Sequence, residues 1–277
     1  MSARLKLKRG LSDISPLFSK DVTEYLPQAC LVEPEKKISP NTFSITRINP
    51  EICYIGSVDD ESDAHFLNNY FASKMAKPHS PALLVTFEEN EVDSSKAKGP
   101  EVWSQGLRRL CLPASRIQDD LCKVKLDSHQ TLEILGSPIF LEASMSTLVC
   151  HPALVSALDH VVLFLKPQVD SVTEAYRQLK RLFALEIKAE VTILFDANDS
   201  AGVSSRLFEL FSDFVSRRLS LSMNYLGTLH LSRGAEGLHQ DIRWDRWSSS
   251  LMARSGSIEK MRFLSWVDKL IKEKSFQ

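Results

Sequence analysis

Residues 161–180 decide the reading: Val161-Val-Leu-Phe-Leu-Lys-Pro-Gln-Val-Asp-Ser-Val-Thr-Glu-Ala-Tyr-Arg-Gln-Leu-Lys180. With His160 in front, the first six residues form a near-continuous apolar run, the pattern of a strand buried on both faces. Ser171-Val172-Thr173-Glu174 has the spacing of a capping box, in which Ser and Glu satisfy helix N–H groups reciprocally. Val172, Ala175, Tyr176, Leu179, Leu182 and Phe183 then recur at helical spacing. A buried strand followed at once by an amphipathic helix is half of a parallel β–α–β unit.

The same alternation extends in both directions. Downstream, Val191–Phe195 reads as a strand, Leu207, Phe208, Phe211, Phe214 and Val215 as a helix stripe, and Ser222–Gly227 as another strand. Upstream, Ile52–Ile55 is a strand ending at Gly56, and Ala64–Ala76 is a helix carrying Phe66, Leu67, Tyr70, Phe71 and Met75. Further strands are predicted over Ala82–Phe87, Leu107–Leu112 and Pro138–Leu141, with a polar excursion from Glu88 to Val102. The expected fold is α/β: a single doubly wound, mainly parallel sheet with helices on both faces over residues 43–277. Residues 1–42 are broken by Pro16, Pro27, Pro34 and Pro40 and read as a flexible arm. Leu17 and Phe18 in Asp13–Phe18 are candidate docking residues on it.

Composition narrows the function. The chain has 10 glycines in 277 residues, below the usual ~7 per cent, and neither GxGxxG nor GxxxxGK[ST] occurs. Lys+Arg number 34 and Asp+Glu 35, a net charge of −1 that supplies no global field for nucleic acid. The five cysteines contain no CxxC and no metal-like spacing, and no apolar leader follows the basic residues Arg4, Lys6, Lys8 and Arg9. A cytoplasmic protein is expected, with no metal. There is no GxSxG elbow and no cysteine–histidine signature, so no catalytic residue is assigned.

The 161–180 stretch resembles a segment of MinD/ParA-type ATPases that reads roughly VVVTTPEPTSITDAYALIK. Phe214-Val-Ser-Arg-Arg-Leu-Ser-Leu-Ser-Met-Asn-Tyr-Leu-Gly-Thr228 is similar to the RFL-x-V-x-LDYLG segment of the flagellar-number regulators, a MinD-like branch. The resemblance covers residues 50–270 in element order and is specific over 160–230. It implies a P-loop NTPase fold with a phosphate loop, approximately GKGGVGK[ST], after the first strand. The matching residues are Gly56-Ser57-Val58-Asp59-Asp60-Glu61-Ser62-Asp63. Both lysines are missing, one glycine remains, and Asp59, Asp60, Glu61 and Asp63 oppose a triphosphate. The same carboxylates complement the dipole of the helix they open.

Other positions implied by the resemblance keep partial chemistry: Glu88 and Glu89 after the second strand, Glu142 on the magnesium side, and Asn198 on the base side. The resemblance therefore implies a MinD-like pseudo-ATPase without a nucleotide cofactor, acting through other proteins. The partners it suggests are an active MinD-like paralogue or a second copy, in a bacterial complex that places a flagellum, pilus or polysaccharide secretion system. An active nucleotide-dependent switch using the remnant acids, and a ParA-like DNA-binding partition factor, are the alternatives. Trp244 and Trp247, beside Arg243 and Arg246, and Trp266 are further interaction candidates. Ile258–Ile271 alternates apolar and basic residues, which suits either the last core helix or contact with the inner membrane.

Overall fold

A computed structural model describes residues 50–76, 81–88, 101–104, 106–117, 120, 121, 124, 138–196, 201–229, 231 and 257–275. Leu17, Phe18, Glu89, Asn198, Trp244 and Trp247 lie outside these residues. Eight strands form one sheet: β1 (Ile52–Ser57), β2 (Ala82–Glu88), β3 (Glu101–Ser104), β4 (Leu107–Pro113), β5 (Ile139–Glu142), β6 (His160–Leu165), β7 (Glu190–Asp196) and β8 (Met223–Leu229). Their order is β3-β4-β2-β5-β1-β6-β7-β8. All neighbouring pairs are parallel except β3–β4. The mainly parallel, doubly wound sheet expected from the alternating pattern is what forms.

β1 lies between β5 and β6, and the chain leaves it in both directions across the sheet. Ligands of open α/β sheets sit at such switch points, outside the carboxyl ends of the strands. Consecutive residues of β1 and β6 are buried, so both faces of the sheet are covered. The strand predicted at 160–165 has those same limits. β3 was not expected: it falls at the end of the polar excursion, and short polar strands are characteristic of sheet edges.

The helices are α1 (Glu61–Met75), α2 (Met145–Cys150), α3 (Pro152–Ala157), α4 (Val169–Ala184), α5 (Ala201–Leu219) and α6 (Ile258–Ser275). Leu67, Phe71 and Ala72 of α1 pack with Cys53, Ile55, Leu84 and Phe140 in one buried cluster. Asn68 is fully buried, and its Nδ2 donates to the Ile55 and Ala64 carbonyls at 2.8 Å each. That amide locks the start of α1 to the end of β1.

The capping box over Ser171–Glu174 does not form. α4 starts three residues earlier, with Gln168 as N-cap and no side-chain cap bond. The buried Ser171 hydroxyl donates instead to Asp59 Oδ1 at 2.5 Å, so a tertiary contact displaces the local one. Along the expected stripe, Ala175, Tyr176, Leu179 and Leu182 are buried, whereas Phe183 is exposed.

α6 is a core helix. Phe263, Leu264, Trp266, Val267 and Ile271 are buried, and Lys260 Nζ lies 2.6 Å from Asp159 Oδ2, which also accepts from Ile52 N–H. Its apolar face packs against α3 and against Phe87 of β2. No helix among the described residues is long and apolar enough to cross one. Trp266, an interaction candidate by sequence, is 3 per cent exposed and stacks on Phe87 with ring centroids 6.5 Å apart.

Candidate functional site

The carboxyl ends of β1, β2 and β5 and the start of α1 enclose a cleft of about 400 Å³. Its lining includes Gly56, Ser57, Asp59, Asp60 and Glu61 of the loop after β1, Glu142 after β5, and Gln178 of α4. Thus Glu142, Asp59, Asp60 and Glu61 share one cleft, which Asp63 does not line. Glu88 ends β2 half-buried but does not line the cleft.

The loop is held by bonds made within the chain. Val58 N–H donates to the Phe164 carbonyl at 2.9 Å, Asp60 N–H to Ser57 Oγ at 3.2 Å, and Asp63 N–H to the Asp60 carbonyl at 3.2 Å. Asp60 Oδ1 accepts from Ser62 N–H at 2.8 Å as the N-cap of α1. The Ser62 bonds hold the Asp60 carboxyl below its ordinary range. Asp63 is displaced the other way, by burial first and then by the neighbouring Asp60. Asp59 ties the loop to the next crossover: Oδ2 accepts from Lys166 N–H at 2.9 Å while Oδ1 takes the Ser171 hydroxyl.

Gly56 has a role other than close approach to phosphate. A Cβ there would stand 2.6 Å from Tyr54 Oη and 2.8 Å from its Cε1. Tyr54, two residues earlier on the same face of β1, lays its ring where a side chain would go. The ring is buried, which raises the phenol above its ordinary range, with Glu61 adding to the effect.

Glu142 is the hub of a second polar group. Its Oε1 meets His65 Nδ1, and its Oε2 accepts from the Thr86 hydroxyl at 2.8 Å. Arg109 Nε donates to Thr86 Oγ1 at 3.2 Å, and its terminal nitrogen lies 3.5 Å from Glu142 Oε2. Glu142 is therefore engaged by an arginine and a histidine of this chain. Among the described residues, no group of three His, Cys, Asp or Glu side chains is placed to hold a metal ion.

The residues present do not fit a nucleoside triphosphate. The N–H groups of Val58, Asp60, Ser62 and Asp63 already have acceptors, and the loop offers carboxylates where phosphate needs positive charge. Sequence reasoning missed Tyr54, His65, Thr86, Arg109 and Gln178, which come from three strands and two helices and share no local pattern. Tyr54, the one aromatic in β1, was the available signal.

Fold and cleft together define a doubly wound α/β domain whose switch-point loop is acidic. No family of described proteins and no curated protein matches the sequence. Among solved structures, the chain is similar to a putative plasmid partition protein of Borrelia burgdorferi bound to AMPPNP, at 11 per cent identity and TM-score 0.44, covering 81 per cent of this chain and 99 per cent of that one. It is also similar to the MinD cell division protein of Aquifex aeolicus, at 10 per cent identity and TM-score 0.42, covering 80 and 97 per cent. The pNOB8 ParA structure gives 9 per cent identity and TM-score 0.46, covering 82 and 99 per cent.

Proposed function

We propose that this chain is a non-catalytic, MinD-like pseudo-ATPase domain that works as a protein-interaction module. The observation that carries the reading is the loop after β1, whose N–H groups are consumed by Phe164, Ser57 and Asp60 and whose side chains are acidic. A phosphate entering there breaks internal hydrogen bonds and meets carboxylates at close range. At an effective dielectric of ~20, one unit charge pair at ~4 Å is worth ~4 kcal/mol. Arg109 and His65 do not relieve this, because Glu142 engages both.

The resemblance over residues 160–230 supports placement in a bacterial complex that positions or assembles a cell-surface machine, with an active MinD-like paralogue or a second copy as partner. The proposal is tested by phosphate release from magnesium-ATP by the purified full chain, with and without candidate partners. Release at the background rate in both cases is expected. Turnover that is abolished by Glu142→Gln contradicts the reading and favours an active nucleotide switch.

A further inference from the structure

The same cleft has a chemistry of its own. Three polar residues from three elements line it, for which no side-chain hydrogen bond is found among the described residues: Glu61 of α1, Tyr54 of β1 and Gln178 of α4. Gln178 is 7 per cent exposed, and its Oε1 is buried without a hydrogen-bond partner. An acceptor in that condition costs stability unless a donor reaches it. Tyr54 is 2 per cent exposed and makes no hydrogen bond among the described residues. Apolar side chains, Phe87 and Met145 among them, fill out the walls.

Charge completes the pattern. The loop acids Asp60, Glu61 and Asp63 stand at one end of α1, with Lys166 near Asp60 and Asp63. Arg109 is paired with Glu142. Among the described residues that line the cleft, the carboxylates of Asp59, Asp60, Glu61 and Glu142 outnumber the cationic side chains, and Tyr54, Glu61 and Gln178 bring polar groups to its walls. We propose that this cleft receives the guanidinium of an arginine side chain presented by a partner protein. A planar fork with five N–H donors reaches acceptors lying in several directions, whereas an ammonium has three donors on one point charge. Guanidinium is also the more weakly hydrated, which suits a site with aromatic and aliphatic walls. The site deepens the interaction reading above and rests on it.

The test is calorimetric titration of the full chain at low salt with acetyl-Gly-Arg-Gly-amide and with its lysine and citrulline counterparts. The arginine peptide binds saturably, with a dissociation constant of about 1 mM, as befits one side chain. Citrulline, of the same shape but uncharged, and lysine each bind at least about tenfold more weakly. Glu61→Gln and Tyr54→Phe each weaken the arginine peptide about threefold or more, with circular dichroism confirming that both variants are folded. Glu61 is exposed, so its variant keeps the test usable if the buried tyrosine does not tolerate change. Equal binding of citrulline or lysine, or no saturation up to about 10 mM arginine peptide, overturns the proposal. If neither the arginine peptide nor magnesium-ATP binds, the guanidinium site falls and the interaction reading stands. Stoichiometric binding of magnesium-ATP removes both.

Discussion

At the scale of single residues, adjacent carboxylates in one loop act in opposite directions. Asp60 caps α1, and its pKa is lowered by the Ser62 bonds. Its contribution is present above the unfolded carboxylate value of ~3.9 and is lost as pH falls through the lower folded value. Asp60→Asn therefore destabilises the chain at pH 7, and the deficit shrinks in acid. Asp63 is raised by burial and by Asp60, so its charged form costs stability above its folded pKa. Asp63→Asn stabilises at pH 7, and the gain fades as pH falls through that range. Urea denaturation across pH 3–8 (roughly the span covering both groups) reads the two slopes, and slopes of the same sign contradict the assignment. Gly56 gives a second residue-level prediction. Gly56→Ala drives a methyl into the Tyr54 ring and costs about 1–3 kcal/mol, as overpacking does. Tyr54→Val makes room, so the double variant loses less than the sum of the single losses. Additive losses place the strain elsewhere.

At the scale of elements, what the sequence shows depends on where each element's partners lie. β6 carries six consecutive apolar or buried positions, and nothing but a two-sided strand accommodates them. Its limits follow from the sequence. β3 is four residues on an outer edge, Glu101-Val102-Trp103-Ser104, and its sequence has no apolar run like that of a central strand. The start of α4 was misjudged because Ser171 satisfies Asp59, 112 residues away in the chain, rather than its own helix. Local spacing carries no trace of that contact. The site divides in the same way. The acidic loop is contiguous and was visible; the Glu142–His65–Thr86–Arg109 group is assembled by sheet order and was seen only through Glu142. α6 supplies the test at this scale. Trp266 stacks on Phe87 and meets Phe263 edge-on, so Trp266→Ala costs about 3–5 kcal/mol in chemical denaturation. A loss of partner or membrane binding with unchanged stability contradicts its place in the core.

At the scale of the whole molecule, a doubly wound sheet sets an acidic loop at its switch-point cleft. Parallel strands bring β1, β2 and β5 to a common edge, and α1 is fixed there by Asn68 and Asp60. In this arrangement the loop is acidic, and the N–H groups of Val58, Asp60, Ser62 and Asp63 are bonded within the chain. The net charge of −1 adds no field that draws in a polyanion. The shortage of glycine thus has a local meaning: the one glycine left in the loop accommodates a tyrosine ring. On the proposed reading, the chain signals through contacts with other proteins rather than through a nucleotide cycle. The most direct measurement is calorimetric titration of the full chain with ATP in the presence of magnesium. No saturable heat at concentrations up to about 1 mM is predicted, whereas stoichiometric binding with a dissociation constant of about 1–10 µM contradicts the account.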